Sequence, residues 1–89
     1  MLLLFIYIRK DDLKMSNNNK KRGALVYNED WDRIDIRFGL NDYYGGLHCG
    51  ESFDVLINGR WIPTRIEKSS YWFLIGVKTK TLPGLVVRK

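Results

Sequence analysis

The chain carries one cysteine and one histidine among 89 residues. A single cysteine excludes an intramolecular disulfide. One of each also excludes a zinc site built from ordinary Cys/His ligand sets. No stretch keeps the i, i+3, i+4, i+7 apolar spacing of an amphipathic helix for more than about a turn, so helices are not expected. Without a helix there is no glycine-rich loop leading into a helix N-terminus to cradle a phosphate. The longest apolar run, Met1–Ile8, is about half the ~20 residues that a membrane-spanning helix needs. It is also a poor secretory signal, because no positive charge precedes it and no small-residue cleavage site follows. Neither sign of charge dominates: fifteen Lys+Arg against ten Asp+Glu give +5. A second independent core is excluded by length, since a domain typically takes ~100–150 residues.

What is present is ordinary globular material, 45% hydrophobic and 28% charged. Met1–Ile8 is followed by Arg9, Lys10, Asp11, Asp12 and Lys14, then by Met15 and the polar Ser16–Arg22. Arg9-Lys10-Asp11 can be written in purine-rich codons that resemble a ribosome-binding sequence. Met15 is therefore the expected natural start and Met1–Lys14 a translated leader. Residues 1–22 are expected to form leader and flexible basic tail, and 23–89 a single small β domain.

From Gly23 onward the apolar period is two. Ala24–Tyr27 reads as the first strand and Asn28–Asp32 as a turn. In Arg33–Phe38, Ile34, Ile36 and Phe38 face a core while Arg33, Asp35 and Arg37 face water. Tyr43-Tyr44 reads as a short strand, and Gly45-Gly46 as a tight turn or bulge. Asn58-Gly59 is the preferred pair for a two-residue type I′ hairpin. That turn sets Ile57 opposite Arg60, Leu56 opposite Trp61, Val55 opposite Ile62 and Phe53 opposite Thr64. Phe53, Val55, Ile62, Thr64 and Ile66 then share the core face. Leu56 and Trp61 share the other face with Asp54, Pro63 and Arg65. Pro63 has no amide hydrogen, so its nitrogen must face an unpaired side. Tyr71–Val77 is apolar on both faces and predicts a strand covered on both sides. Lys78–Gly84 reads as a loop, and Leu85–Arg88 as the last strand. The expectation is all-β: a small, strongly bent antiparallel sheet or SH3-like barrel of about five to seven short strands. The barrel is the first topology and a curled open meander the second.

Chemistry-bearing groups are sparse. Leu47-His48-Cys49-Gly50-Glu51 invites a thiol nucleophile with a histidine base. Neighbouring side chains in an extended segment point to opposite faces, which argues against it. The plainer reading is a small buried thiol beside a surface imidazole. No carboxylate pair or phosphate loop supplies another catalytic centre, so the protein is not expected to be an enzyme, and no cofactor or metal is expected. Aromatics number twelve. Trp61 is placed outdoors near Arg60 and Arg65. With Leu56, Tyr43, Tyr44 and His48 it forms the expected binding patch for a protein partner, and a second copy of the chain is expected to pair through Tyr71–Val77. The alternative is single-stranded nucleic acid, stacked on those rings and held by Lys20, Lys21 and Arg22. No membrane span is expected, and the expected compartment is the cytoplasm.

Several runs carry a family likeness. They are Arg33–Gly39, Asp42-Tyr43-Tyr44-Gly45-Gly46-Leu47-His48-Cys49-Gly50-Glu51, and Phe53-Asp54-Val55 with Gly59, Trp61 and Pro63–Glu67. Trp72-Phe73-Leu74-Ile75-Gly76 and Gly84–Arg88 add to them. Together they resemble the bacterial family called domain of unknown function 5348, over about Gly23 to Arg88. The resemblance implies a compact β-rich domain of Firmicutes origin, often on phage-like or conjugative mobile elements. It implies no catalytic residue. Set beside the residues, it leaves an adaptor or protein-interaction domain as the first functional expectation and nucleic-acid binding as the second.

Overall fold

Asn58 and Gly59 adopt φ of 50° and 79°, the left-handed pair that a type I′ turn requires. The computed structural model describes residues 19–89; the leader and the Met15 start lie outside the described residues. Around that turn, β4 (Ser52–Ile57) and β5 (Arg60–Lys68) pair in the register the sequence predicts, from Ile57↔Arg60 to Phe53↔Thr64 and on to Ser52↔Arg65. The Ile66 amide donates to the Glu51 carbonyl at 3.1 Å. By alternation, the Pro63 nitrogen then faces away from β4. On that side β6 (Trp72–Leu74) pairs only with Ile66–Lys68, so Pro63 costs no ladder bond.

The other strands are β1 (Arg22–Asn28), β2 (Arg33–Gly39), β3 (Asp42–Tyr43) and β7 (Val86–Arg88). All neighbours are antiparallel in one seven-stranded sheet of order β3-β2-β1-β7-β4-β5-β6. The last strand unites the sheet. β7 lies between β1 and β4, with Val87 opposite both Gly23 and Val55.

The sheet is rolled, and the chain itself requires it. Leu47 donates its amide to Ile34 on the open edge of β2, while Gly50 donates to Ile66 of β5 and so prolongs β4. In a flat sheet those places would be four strand spacings apart, ~19 Å at ~4.8 Å each. The three Cα–Cα steps from Leu47 to Gly50 reach at most ~11 Å. Residues 44–50 therefore act as a strap across the mouth of a half-closed cylinder. Among the described residues no ladder joins β3 to β6, so the SH3-like barrel expected first does not form and the bent open sheet does. Side chains fill the seam instead. Lys68 Nζ meets Asp32 Oδ2 at 2.9 Å. The Trp72 ring lies between Arg33 and Lys68, at 5.9 and 5.1 Å from its centroid.

Inside the roll are Leu25, Ile34, Ile36, Phe53, Val55, Ile66, Leu74 and Val87, with Leu47 from the strap and Leu82 from the last loop. This is the alternating inward set of each strand, as period-two patterning dictates. Three local expectations are corrected. Tyr71–Val77 is not a two-sided strand: Gly76 turns at φ 77°, Val77 N–H bonds the Leu74 carbonyl at 3.3 Å, and Tyr71 and Ile75 are exposed. Asp35 does not face water but is 6% exposed, covered by the Gly45-Gly46 turn. Lys20–Arg22 are not a flexible tail: β1 begins at Arg22, and Lys21 and Lys89 exchange both backbone hydrogen bonds.

Candidate binding face

Pairing places one set of side chains on the outer face of the sheet: Arg22, Ala24 and Val26 of β1, Asp35 and Arg37 of β2, and Tyr43 of β3. Val86 and Arg88 of β7, Asp54 and Leu56 of β4, and Trp61, Pro63 and Arg65 of β5 continue it. Its geometry begins at a buried carboxylate. Asp35 Oδ1 accepts the amides of Ile36, Gly45 and Gly46 at 2.8, 2.9 and 2.7 Å. Gly45 and Gly46 sit at φ 114° and 100°, a left-handed pair that side-chain-bearing residues rarely adopt. This anchor sends Tyr43 of β3 and Tyr44 of the strap to different places. Tyr43 lies beside Arg37, whose guanidinium carbon is 5.8 Å from the ring centroid. The Tyr44 hydroxyl donates to Glu51.

A groove of about 520 Å³ opens on the outer face where β1, β2 and β3 meet. Val26, Trp31, Asp35, Arg37, Tyr43 and Gly45 are among its lining residues. Trp31 is 65% exposed and Tyr43 50%. Of the three charged groups in the lining, Glu29, Asp35 and Arg37, the last two are already engaged. Asp35 holds backbone amides, and Arg37 Nε and Nη2 donate to the carbonyls of Gly39 and Leu40, each at 3.0 Å. The turn that presents Trp31 is pinned by its amide, which donates to Asn28 Oδ1 at 3.3 Å.

Farther along the same face Trp61 is half-buried and not outdoors. Arg88 lies 4.4 Å and Arg22 5.6 Å from its centroid. The expected neighbours are elsewhere: Arg65 Nε bonds Glu67 at 2.8 Å, and Arg60 stands at the hairpin end opposite Ile57. The insertion of β7 beside β4 is the cause, since it carries Arg88 onto the indole. Arg88 Nε and Lys20 Nζ share Asp54 Oδ2 at 2.8 and 3.0 Å. Burial pushes the Asp54 carboxyl up, but Arg88 and Lys20 outweigh it and hold it below its ordinary range. Lys21 pairs with Asp42 at 2.8 Å and lies over Phe38.

His48 and Tyr44 belong to a third cluster, on the strap. Glu51 Oε2 accepts the His48 amide at 2.9 Å and lies 3.4 Å from His48 Nδ1; Lys89 Nζ is 3.6 Å from Oε1. Burial raises the Glu51 carboxyl, yet the Tyr44 and His48 hydrogen bonds and Lys89 bring it below its ordinary value. The same contact raises the Tyr44 hydroxyl. Cys49 is exposed, contrary to the buried thiol expected, and the imidazole beside it is turned to Glu51. Among the described residues no three His, Cys, Asp or Glu side chains gather as metal ligands. No described helix is long and apolar enough to cross a membrane.

Of the residues singled out in the sequence, the structure brings Tyr43 to the groove. It brings Arg22 to the Trp61 ring and Lys20 to Asp54, with Leu56 next to Trp61 across the β4–β5 pair. It sets Tyr44 and His48 apart on the strap. Trp31 and Arg88 were missed. Trp31 carried a signal, an indole in an otherwise acidic turn; the position of Arg88 depends on strand order alone.

These features define a small all-β domain built on one rolled antiparallel sheet. The family model described as "Domain of unknown function (DUF5348)" matches residues 23–89, and the chain belongs to that family. It is also similar to a protein from Ruminococcus gnavus whose crystal structure was a Northeast Structural Genomics Consortium target. The TM-score is 0.75 at 48% identity, covering 78% of this chain and 100% of that one. No curated protein matches the chain.

Proposed function

We propose that this domain is a non-catalytic protein-interaction module that receives a partner segment in the outer-face groove. The observation that carries this reading is the pairing of two exposed aromatic residues, Trp31 and Tyr43, with an aliphatic floor at Val26, beside which Asp35 and Arg37 are already engaged. An apolar anchor set beside Val26 gains about 25 cal/mol per Å² removed from water, with Asp35 and Arg37 already hydrogen-bonded by the protein. Such aromatic-lined spots are where interface energy concentrates. Single-stranded nucleic acid is the weaker reading, because the Trp61 ring already carries Arg88 as a stacked cation and offers less room to a base. An adaptor role on a mobile element and a cytoplasmic setting belong to the same proposal and rest on the family likeness.

The test is selection of 12-residue peptides from a random displayed library on the whole chain, followed by NMR titration of a selected peptide. Amide shifts at Val26, Trp31, Tyr43 and Gly45, lost in Trp31→Ala and Tyr43→Ala, are expected. Selected peptides that map elsewhere, or a library that yields none, would reject the reading.

A further inference from the structure

We infer that the partner segment is extended and acidic on one side, with an apolar anchor in the groove and carboxylates about four residues away on Arg22 and Arg88. This rests on the groove being the binding site. Val26 and Arg22 are four positions apart on β1, ~13 Å at ~3.3 Å per residue. An extended partner lying along β1 covers that distance in about four residues. Its path crosses Ala24, paired with Val86 on β7; both are half-buried and apolar. Ala24 places only a small side chain on that path.

The far end of that path is cationic. Arg88 and Lys20 share one carboxylate, Asp54, and Arg22 lies beside Arg88 over the Trp61 ring. No carboxylate pairs with Arg22 among the described residues. Both guanidiniums are held over one indole. A guanidinium suits bidentate carboxylate recognition. At the groove end Glu29 is among the lining residues. Acid groups on the partner are therefore disfavoured there and favoured toward Arg22, which gives the partner a direction.

The experiment uses peptides selected on the whole chain, with an oligo-dT of comparable length as a second probe. Groove-binding peptides should be enriched in Asp and Glu about four residues from an aromatic or aliphatic anchor, on one side only. Replacing those acids by Gln or Asn, or Arg22→Gln in the protein, should weaken binding about five-fold at low salt and less at high salt. Arg22→Gln removes no ion pair seen in the fold, and an unchanged thermal midpoint checks that it folds. Peptides that need Trp31 and Tyr43 but show no acidic enrichment and ignore Arg22→Gln would overturn this inference and leave the groove standing. Oligo-dT binding more tightly than every peptide and losing affinity in Arg22→Gln would overturn it in favour of nucleic acid. Peptides that ignore Trp31 and Tyr43 would reject the groove itself.

Discussion

Asp35→Ala should nearly unfold the domain, although it removes a residue from the outer face. Its Oδ1 accepts three backbone amides, two of them from the Gly45-Gly46 turn that begins the strap. Hydrogen bonds to a charged group are worth roughly 1.5–3 kcal/mol each, and stranded buried donors cost ~1–3 kcal/mol. Three bonds on one oxygen do not add fully, and the mutant is spared the burial of a carboxylate. The net loss is about 3–5 kcal/mol. A domain of this size holds only roughly 4–10 kcal/mol in total. With a urea slope near ~1 kcal/mol per molar, the midpoint should fall by about 3 M or the folded baseline should vanish. Asp35→Asn keeps a neutral acceptor and should lose about half as much. Hydrogen exchange at Gly45 and Gly46 should accelerate before global unfolding in that milder variant. An Asp35→Ala protein within ~0.5 kcal/mol of the parent would refute the idea that this carboxylate holds the strap.

Three further outcomes are expected. The Asp54 and Glu51 carboxyls lie below their ordinary range in the folded state. Their contribution is thus complete above the unfolded carboxylate value near ~4 and is lost as pH falls through the lower folded values. Thermal midpoints should therefore be level in the neutral range and decline in acid, less steeply in Asp54→Asn with Glu51→Gln. Trp72→Ala empties the seam between Arg33 and Lys68; for a half-buried indole the cost is about 2–3 kcal/mol by urea titration, and Trp72→Phe should recover part of it. Gly59→Ala must hold φ near 79° with a Cβ, costing about 1–2 kcal/mol in the same assay.

What was legible in the sequence was what neighbouring residues decide. Asn58-Gly59 specified its own turn, and the turn specified six cross-strand pairs without distant information. The alternation in Arg33–Phe38 likewise named Ile34 and Ile36 as core. What failed was non-local. Asp35 has the period of a solvent-facing residue, and only the return of Gly45-Gly46 across it makes it buried. Trp61 has the period of an outward residue and holds it, but β7 arrives next to β4 and lays Arg88 on its ring. Tyr71–Val77 has strand composition, and a single left-handed glycine at position 76 ends the pairing early. The groove joins Trp31 from a turn with Tyr43 from the strap edge, a meeting set by how the sheet rolls.

The most direct test of the account is an amide NMR titration of the whole chain with a selected peptide, in parallel with the oligonucleotide. The account predicts shifts running from Trp31 and Tyr43 along β1 to Arg22, with the Trp31 indole proton moving most. Shifts confined to the Tyr44–Glu51 strap, or a response to the oligonucleotide alone, would contradict it.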